Sequence, residues 1–493
     1  MKSIQKSLFL ISGPLLFIIL QYLDPPSGMP DKAYDLLSIT LWMAIWWVTE
    51  SVPIAITALL PIILFPMTGA VDLETTTASF GHKYIFLYMG GFMLAIAIEK
   101  WNLHKRIALN IIKIIGTNVS KIILGFMVAT AFLSMWISNT ATAVMMLPIG
   151  MSIVAQLQDN PDTKEDENLL FGKALMLGIA YSASIGGMAT LIGTPPNLVF
   201  AGYVEEIYGI EITFLQWFKF GLPIAIPLLA VAWLYLTKSA FKFKQKDFPG
   251  GKEEINRLLL EIGPMKREEK IVSLIFVLTA FCWITRSFIL QKFFPYIDDT
   301  IIAMIAGVLL FVIPTSDIKK RIITWEDAVK LPWGIILLFG GGMALAAGFQ
   351  ITGLASWLGA QMSMLQGLSL VLLVLVIVGL VNFFTEFTSN LATTAMLLPI
   401  LAPIAISLNI NPYILMVACT VAASCAFMMP VATPPNAVVF GSGYLRIPDM
   451  IKSGIWMNII SIIFLTIMVY YMLPIIWDFN PRDFSEFKTL VKP

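Results

Sequence analysis

Histidine is almost absent from this chain: there are two, His82 and His104, in 493 residues. Both fall at the ends of apolar segments, have no partner at metal-ligand spacing, and are expected at the surface. An enzyme needs a nucleophile with a base, or a metal cluster, and the chain offers neither. Cysteine is nearly as scarce. Cys282, Cys419 and Cys425 all lie in apolar segments. They form no zinc or disulfide pattern, so packing is their expected role. Charged residues make up 13% of the chain, against about 25% in a soluble domain. That shortage, with 58% hydrophobic residues, excludes an ordinary soluble enzyme and a disordered chain alike. A formal net charge of +1 gives no reason to invoke nucleic acid. No small-residue cleavage site follows Lys2, Lys6 and the first apolar run, so a retained first helix is expected.

What the chain has instead is apolar length. A spanning helix needs roughly 20 apolar residues. Stretches near 7–23, 35–48, 52–66, 84–99, 169–203, 211–237, 270–290, 298–314, 333–350, 411–441 and 452–477 predict eleven spans. Two more, 120–155 and 368–407, are too long for one helix, and each carries a Ser-Asn dipeptide near its middle. They predict re-entrant hairpins with that dipeptide at the tip. Non-helical backbone is tolerated at membrane depth only where it is buried in protein or faces water. The segments 169–203 and 411–441 are each broken by Pro-Pro. Proline lacks an N–H and clashes with the preceding turn, which predicts two discontinuous helices unwound around Thr194 and Thr433.

These elements come in pairs. Residues 136–148 (WISNTATAVMMLP) match 387–399 (FTSNLATTAMLLP), with Ser138, Asn139, Thr142 and Pro148 falling on Ser389, Asn390, Thr393 and Pro399. Gly193-Thr194-Pro195-Pro196-Asn197 matches Ala432-Thr433-Pro434-Pro435-Asn436. Polar helix-breaking residues at corresponding places in two apolar halves point to a transporter site at a repeat interface. Lys and Arg of the short loops (Lys100, Lys105, Arg106 and Lys113; Lys238 to Lys270; Lys319, Lys320, Arg321 and Lys330) thread to one side, which is therefore cytoplasmic. The N-terminus then lies inside and the C-terminus outside. The hairpins enter from opposite faces, as inverted repeats require.

The resulting layout is an N-terminal helix and external loop (1–34), a first repeat (35–237), a cytoplasmic linker (238–270), a second repeat (271–441), and a last helix with an external tail (442–493). Segment 101–116 reads as an amphipathic interfacial helix, with 351–363 in the matching place. The acidic stretch 157–168 is a solvated insertion in the first repeat.

The Ser-Asn tips offer hydroxyls, amides and free backbone groups at the ends of broken helices. Helix N-termini favour anions such as carboxylate or sulfate, while hydroxyls and carbonyls at such breaks suit a small hard cation such as sodium. No Lys or Arg falls inside any of the four motifs, so neutral dipoles and bound cations must offset an anion's charge. Gly90-Gly91 and Gly340-Gly341-Gly342 are expected to permit close helix packing. Glu50 is expected to face cytoplasmic water. Glu386, three residues before Ser389, could either tune cation binding or pair with a backbone donor.

On Ser138-Asn139-Thr140, the run Ser424 to Val439 (SCAFMMPVATPPNAVV) and Trp46 to Pro53 (WWVTESVP), the chain resembles the divalent anion/sodium symporter family, which includes the sodium-coupled dicarboxylate and citrate carriers. The resemblance covers nearly the whole chain. It implies two hairpins, two broken helices, a homodimer and an elevator-type movement of the site. It implies one sodium site from Ser134, Ser138, Asn139 and Gly193, and another from Thr385, Thr388, Asn390 and Ala432. Substrate carboxylates would meet Ser138, Asn139, Thr140, Thr194, Pro195, Ser389, Asn390, Thr433 and Pro434. Leu391 stands where many members have threonine, which bears on the choice of anion.

The reading is an all-α polytopic membrane protein, not an enzyme. It is expected in the plasma (inner) membrane, importing C4-dicarboxylates such as succinate by sodium symport. The alternatives are a sodium-independent dicarboxylate exchanger and a carrier of citrate or sulfate.

Overall fold

The computed structural model describes residues 2–116, 118–156, 167–243, 251–361 and 367–488. Most of the acidic insertion, linker residues 244–250, residues 362–363 and the last five of the tail lie outside the described residues. Among those described, the fold is all helix, with a single isolated bridge between Pro314 and Arg321. Seven helices are long and apolar enough to cross a membrane: Leu73–Lys100, Glu167–Gly187, Phe214–Ala240, Arg267–Phe293, Trp333–Ile351, Asn390–Ser407 and Ile447–Trp477. Shorter apolar helices lie between them, including Leu8–Leu20, Val119–Ser134, Asp299–Val312, Leu370–Phe384 and Pro412–Ala423. This is a multi-pass membrane protein, and Leu274, Val277, Leu278 and Phe281 on its outer surface are exposed, as a lipid-facing helix requires.

The two overlong apolar stretches fold as pairs of arms around a short tip. The first hairpin has arms Val119–Ser134 and Asn139–Gln156; the second has Leu370–Phe384 and Asn390–Ser407. The two Pro-Pro segments are interrupted helices. One runs Glu167–Gly187, then Pro195–Tyr208; the other runs Pro412–Ala423, then Pro434–Phe440. Each proline pair opens the second piece, where a missing N–H leaves no helical bond unmade. Thr194 and Thr433 precede it in extended conformation, at φ −141° and −139°. The pieces interlock. Glu167–Gly187 packs on both arms of the first hairpin and also on Pro434–Phe440, while Pro195–Tyr208 packs on Asn390–Ser407 of the second. Residues far apart in the chain are thereby drawn to one centre.

Two glycines in the paired patches show why glycine stands there. A Cβ on Gly90 would lie 2.5 Å from the Ala303 backbone, and one on Gly341 would lie 2.3 Å from the Ala58 carbonyl oxygen. The stretch 52–66, expected as one span, is two short helices, Ile54–Thr57 and Leu60–Thr68. Pro61 lacks the N–H that would bond back across the break.

His104 departs from its expected surface position. It is 3% exposed in the helix Leu103–Ile115, with Nδ1 3.2 Å from the Ile98 carbonyl. Burial pushes its pKa down to about 4, so it is neutral at physiological pH. That amphipathic helix also docks on protein. Arg106 Nη2 donates to Glu269 Oε2 at 3.1 Å and to the Gly263 carbonyl at 3.0 Å. The linker contains a helix, Gly251–Ile262, whose Glu254 accepts from Ser152 of the first hairpin at 2.6 Å.

Candidate functional site

Each hairpin turns over at its Ser-Asn dipeptide, and in the first the serine side chain accepts from the first turn of the next arm. Ser138 Oγ accepts from the Ala141 N–H at 3.3 Å, and Ser389 occupies the capping position of Asn390–Ser407. The first N–H groups of each arm have no partner within their own helix. The unwound parts of both interrupted helices lie opposite these tips.

Between them is a cavity of about 480 Å³. All nine residues expected to meet substrate line it: Ser138, Asn139, Thr140, Thr194, Pro195, Ser389, Asn390, Thr433 and Pro434. Gly193, Ala432 and Leu391 line it as well. Among the described residues, no Lys or Arg is in its lining, and its one charged side chain is Glu50. Glu50 is exposed and sits in the left-handed region at φ 46°. Its position at the cavity was not foreseen.

Ser134, Thr385 and Thr388 do not line the cavity. They are buried behind the tips, at 0%, 0% and 4% exposure, and each half builds a nest of oxygens there. In the first half, the terminal position of the Asn139 amide nearest Ser134 lies 2.6 Å from Ser134 Oγ. It lies 3.1 Å from each of the Ala183 and Gly193 carbonyl oxygens. With the amide oxygen in that position, four oxygens from three segments converge, a donor set for a hard cation. With the amide turned, its NH₂ donates to all three. In the second half, Thr385 Oγ1 donates to Asn390 Oδ1 at 2.7 Å and to the Ala423 carbonyl at 3.1 Å. Thr388 Oγ1 bonds Thr393 Oγ1 at 2.7 Å.

The unwound segments are braced by matched asparagines. Asn197 Nδ2 donates to the Thr190 carbonyl at 2.7 Å and to that of Gly187 at 3.3 Å. Asn436 Nδ2 donates to the Met429 carbonyl at 3.0 Å and to that of Ala426 at 3.2 Å. Glu386 takes the backbone alternative. It is 1% exposed and accepts from the N–H groups of Phe427 (2.8 Å), Met428 (3.0 Å) and Met429 (2.9 Å), and from Asn458 Nδ2 at 2.7 Å.

Sequence reasoning missed Tyr88, Phe92 and Ile335, which form part of the cavity wall. Tyr88 Oη is buried without a hydrogen-bond partner among the described residues. An aromatic or aliphatic residue in an apolar helix gives no contrast by which to find it. The brace role of Asn197 and Asn436 was within reach, since both stand at the same place in the repeated Pro-Pro-Asn motif.

Three comparisons agree with this architecture. The model of the sodium:sulfate symporter transmembrane region matches residues 5–477. The chain is 48% identical over 471 residues to the sodium-dependent dicarboxylate transporter SdcS of Staphylococcus saprophyticus, covering 94% of this chain and 91% of that protein. It is 48% identical over 473 residues to SdcS of Staphylococcus aureus, covering 95% and 91%. The fold is similar to the crystal structure of the Alcanivorax borkumensis YdaH transporter, with a TM-score of 0.56 at 14% identity, covering 92% of this chain and 100% of that one. It is also similar to Neisseria gonorrhoeae MtrF, with a TM-score of 0.53 at 14% identity, covering 95% and 94%.

Proposed function

The chain belongs to the sodium:sulfate symporter family, and from that premise we propose that it imports C4-dicarboxylates such as succinate by sodium symport. The observation that carries the reading is the chemistry of the central cavity. Two Ser-Asn tips and two Thr-Pro-Pro turns converge on one space without a lysine or arginine among the described residues of its lining. A dianion placed there has only neutral dipoles to meet it, and the cavity's one charged side chain is the Glu50 carboxylate. Compensating charge must arrive with the substrate, and the two oxygen nests behind the tips suit sodium. The name shared by the SdcS relatives supports both the ion and the anion class.

A four-carbon dicarboxylate can present one carboxylate to each tip, whereas sulfate is a single compact anion. Ser138, Asn139, Thr140 and Thr194 take one end; Ser389, Asn390 and Thr433 take the other; Pro195 and Pro434 wall the turns. Ser134, Ser138, Asn139 and Gly193 ligate one sodium. Thr385, Thr388, Asn390 and Ala432 ligate the second. Sodium is cargo here, bound with the anion and released with it.

In this reading the chain forms two inverted repeats with eleven spans and two re-entrant hairpins, the N-terminus and basic loops cytoplasmic. The hairpins and interrupted helices move together as an elevator within a homodimer in the plasma (inner) membrane.

Uptake of labelled succinate into proteoliposomes tests this. Uptake rises steeply with external sodium and fails in potassium or choline. Equal uptake in sodium-free buffer, driven by internal dicarboxylate, would establish the exchanger instead.

A further inference from the structure

A second cavity, of about 570 Å³, lies away from the central site, between the start of the last helix and the end of Phe214–Ala240. Its polar lining comprises Lys173, Lys452, Asp449, Ser239, Ser453 and Tyr235. Leu170, Phe241, Trp456 and Ile460 supply the apolar part.

The charges in it do not cancel. Asp449 Oδ1 is 3.0 Å from Lys173 Nζ, and Asp449 Oδ2 accepts the Arg446 backbone N–H at 3.1 Å. Both carboxylate oxygens are therefore taken. Lys452 has no carboxylate within ion-pair distance among the described residues and is exposed. Two lysines and one aspartate leave one net positive charge. Around it stand the Ser239 hydroxyl and the Ser453–Tyr235 hydroxyl pair. Hydroxyls and ammonium groups that leave a single surplus charge suit the oxygens of a singly charged phosphodiester.

The apolar part shows where that phosphodiester comes from. Lys452, Trp456 and Ile460 follow one another at four-residue spacing, so they share one face of the last helix. Trp456 is 55% exposed near the beginning of a 31-residue apolar span. An indole at a span end belongs at headgroup depth, and Ile460 continues toward the hydrocarbon. Lys238 and Lys242 flank the lining residues Ser239 and Phe241 in the chain, adding to the positive field. On the orientation proposed above, this face lies in the cytoplasmic leaflet, whose anionic lipids attract such segments.

We propose that this cavity binds the headgroup phosphate of an anionic phospholipid, with Lys452 as the principal contact. A zwitterionic lipid would bring its own ammonium group against the lysines. Inorganic phosphate would share the polar contacts and leave the Trp456 face uncovered.

Native mass spectrometry of the full chain, purified in detergent from membranes containing phosphatidylglycerol and phosphatidylethanolamine, tests the proposal. It needs neither sodium nor substrate, so its failure is separate from failure of the transport reading. Wild type retains phosphatidylglycerol in preference to phosphatidylethanolamine, and excess inorganic phosphate does not displace it. Lys452→Ala lowers retention about fivefold and Lys452→Glu roughly thirtyfold, at about one basic charge's worth of surface attraction per step. Lys319→Glu, an exposed basic residue elsewhere, leaves retention unchanged. Equal retention by Lys452→Glu, displacement by inorganic phosphate, or equal retention of phosphatidylethanolamine would each overturn the site. Should Lys452→Glu fail to fold, Trp456→Ala reads the same loss, and adding phosphatidylglycerol to delipidated wild type must raise its melting temperature.

Discussion

The two halves build the same joint with different chemistry. In the first, Thr190 Oγ1 donates to the Met135 carbonyl at 2.5 Å, tying the unwound segment to the hairpin tip. The corresponding residues in the second half are Met429 and Glu386. There the Met429 N–H donates to Glu386 Oε2 at 2.9 Å, and Phe427 and Met428 donate to Oε1. A hydroxyl and a backbone carbonyl suffice where the break is short. The second break runs from Ser424 to Thr433 between its helical pieces. More of its N–H groups lose helical partners, and buried backbone donors must be paired somewhere. One carboxylate gathers three of them.

That contrast predicts the largest effect. Glu386→Ala strands the Met428 and Met429 N–H groups and the Asn458 amide, and leaves the Phe427 N–H only its 3.2 Å bond to Asn458 Oδ1. Each unsatisfied buried donor costs about 1–3 kcal/mol, so the variant should lose several kcal/mol and melt far below wild type in detergent. Met135→Ala keeps its carbonyl and should lose only packing, with transport largely retained. If Glu386→Ala melts with the wild type, the carboxylate is not what holds the second break.

How much of this was legible follows from the same pair of joints. The tips and the Pro-Pro breaks could be read because the motifs recur, and each copy supports the other; the nine residues that line the cavity were placed on those motifs by the family resemblance. Glu386 has no copy in the first half, where Met135 stands. Its partners lie about 40 and 70 residues away, a separation no local pattern reports. The helix break near Ala58 was written in Pro61, yet the run around it is apolar enough to look continuous. His104 looked like a surface residue because it follows a helix end. Its burial comes from packing of the amphipathic helix, which periodicity describes without naming the neighbour.

The two oxygen nests proposed to hold sodium give the next test. Asn139 and Asn390 hold corresponding places, yet the first amide faces two carbonyls as well as Ser134, and the second is paired with Thr385. Asn139→Ala and Asn390→Ala each remove one charge-assisted contact, about 1.5–3 kcal/mol, or roughly tenfold or more in binding. Both variants should reach the membrane and lose succinate uptake. The sharper measurement is the sodium concentration for half-maximal binding, read by protection of the purified protein against thermal unfolding. Both should shift it upward. A shift in only one would assign sodium to one nest and leave the other a structural hydrogen-bond cluster.

The smallest effect concerns the position that breaks the repeat at the cavity itself. Thr140 is exposed and lines the first tip; Leu391, its counterpart, lines the second and is 5% exposed. One tip therefore offers a hydroxyl where the other offers apolar bulk, so in the proposed site polar recognition falls mainly on the first-hairpin side. Thr140→Val removes a hydroxyl that has no substitute across the cavity. It should weaken succinate competition by about one hydrogen bond, roughly 0.5–1.5 kcal/mol. Leu391→Thr restores the matched pair. Transport should persist, and the ranking among succinate, malate and citrate should change, because a new hydroxyl can meet a substrate hydroxyl or a further carboxylate. Competition of labelled succinate uptake by a panel of dicarboxylates, run on both variants, decides the point. If Leu391→Thr lowers the melting temperature while the ranking stays fixed, the leucine serves hairpin packing. Its small exposure would then reflect its packing, and the difference between the tips would have no part in the choice of anion.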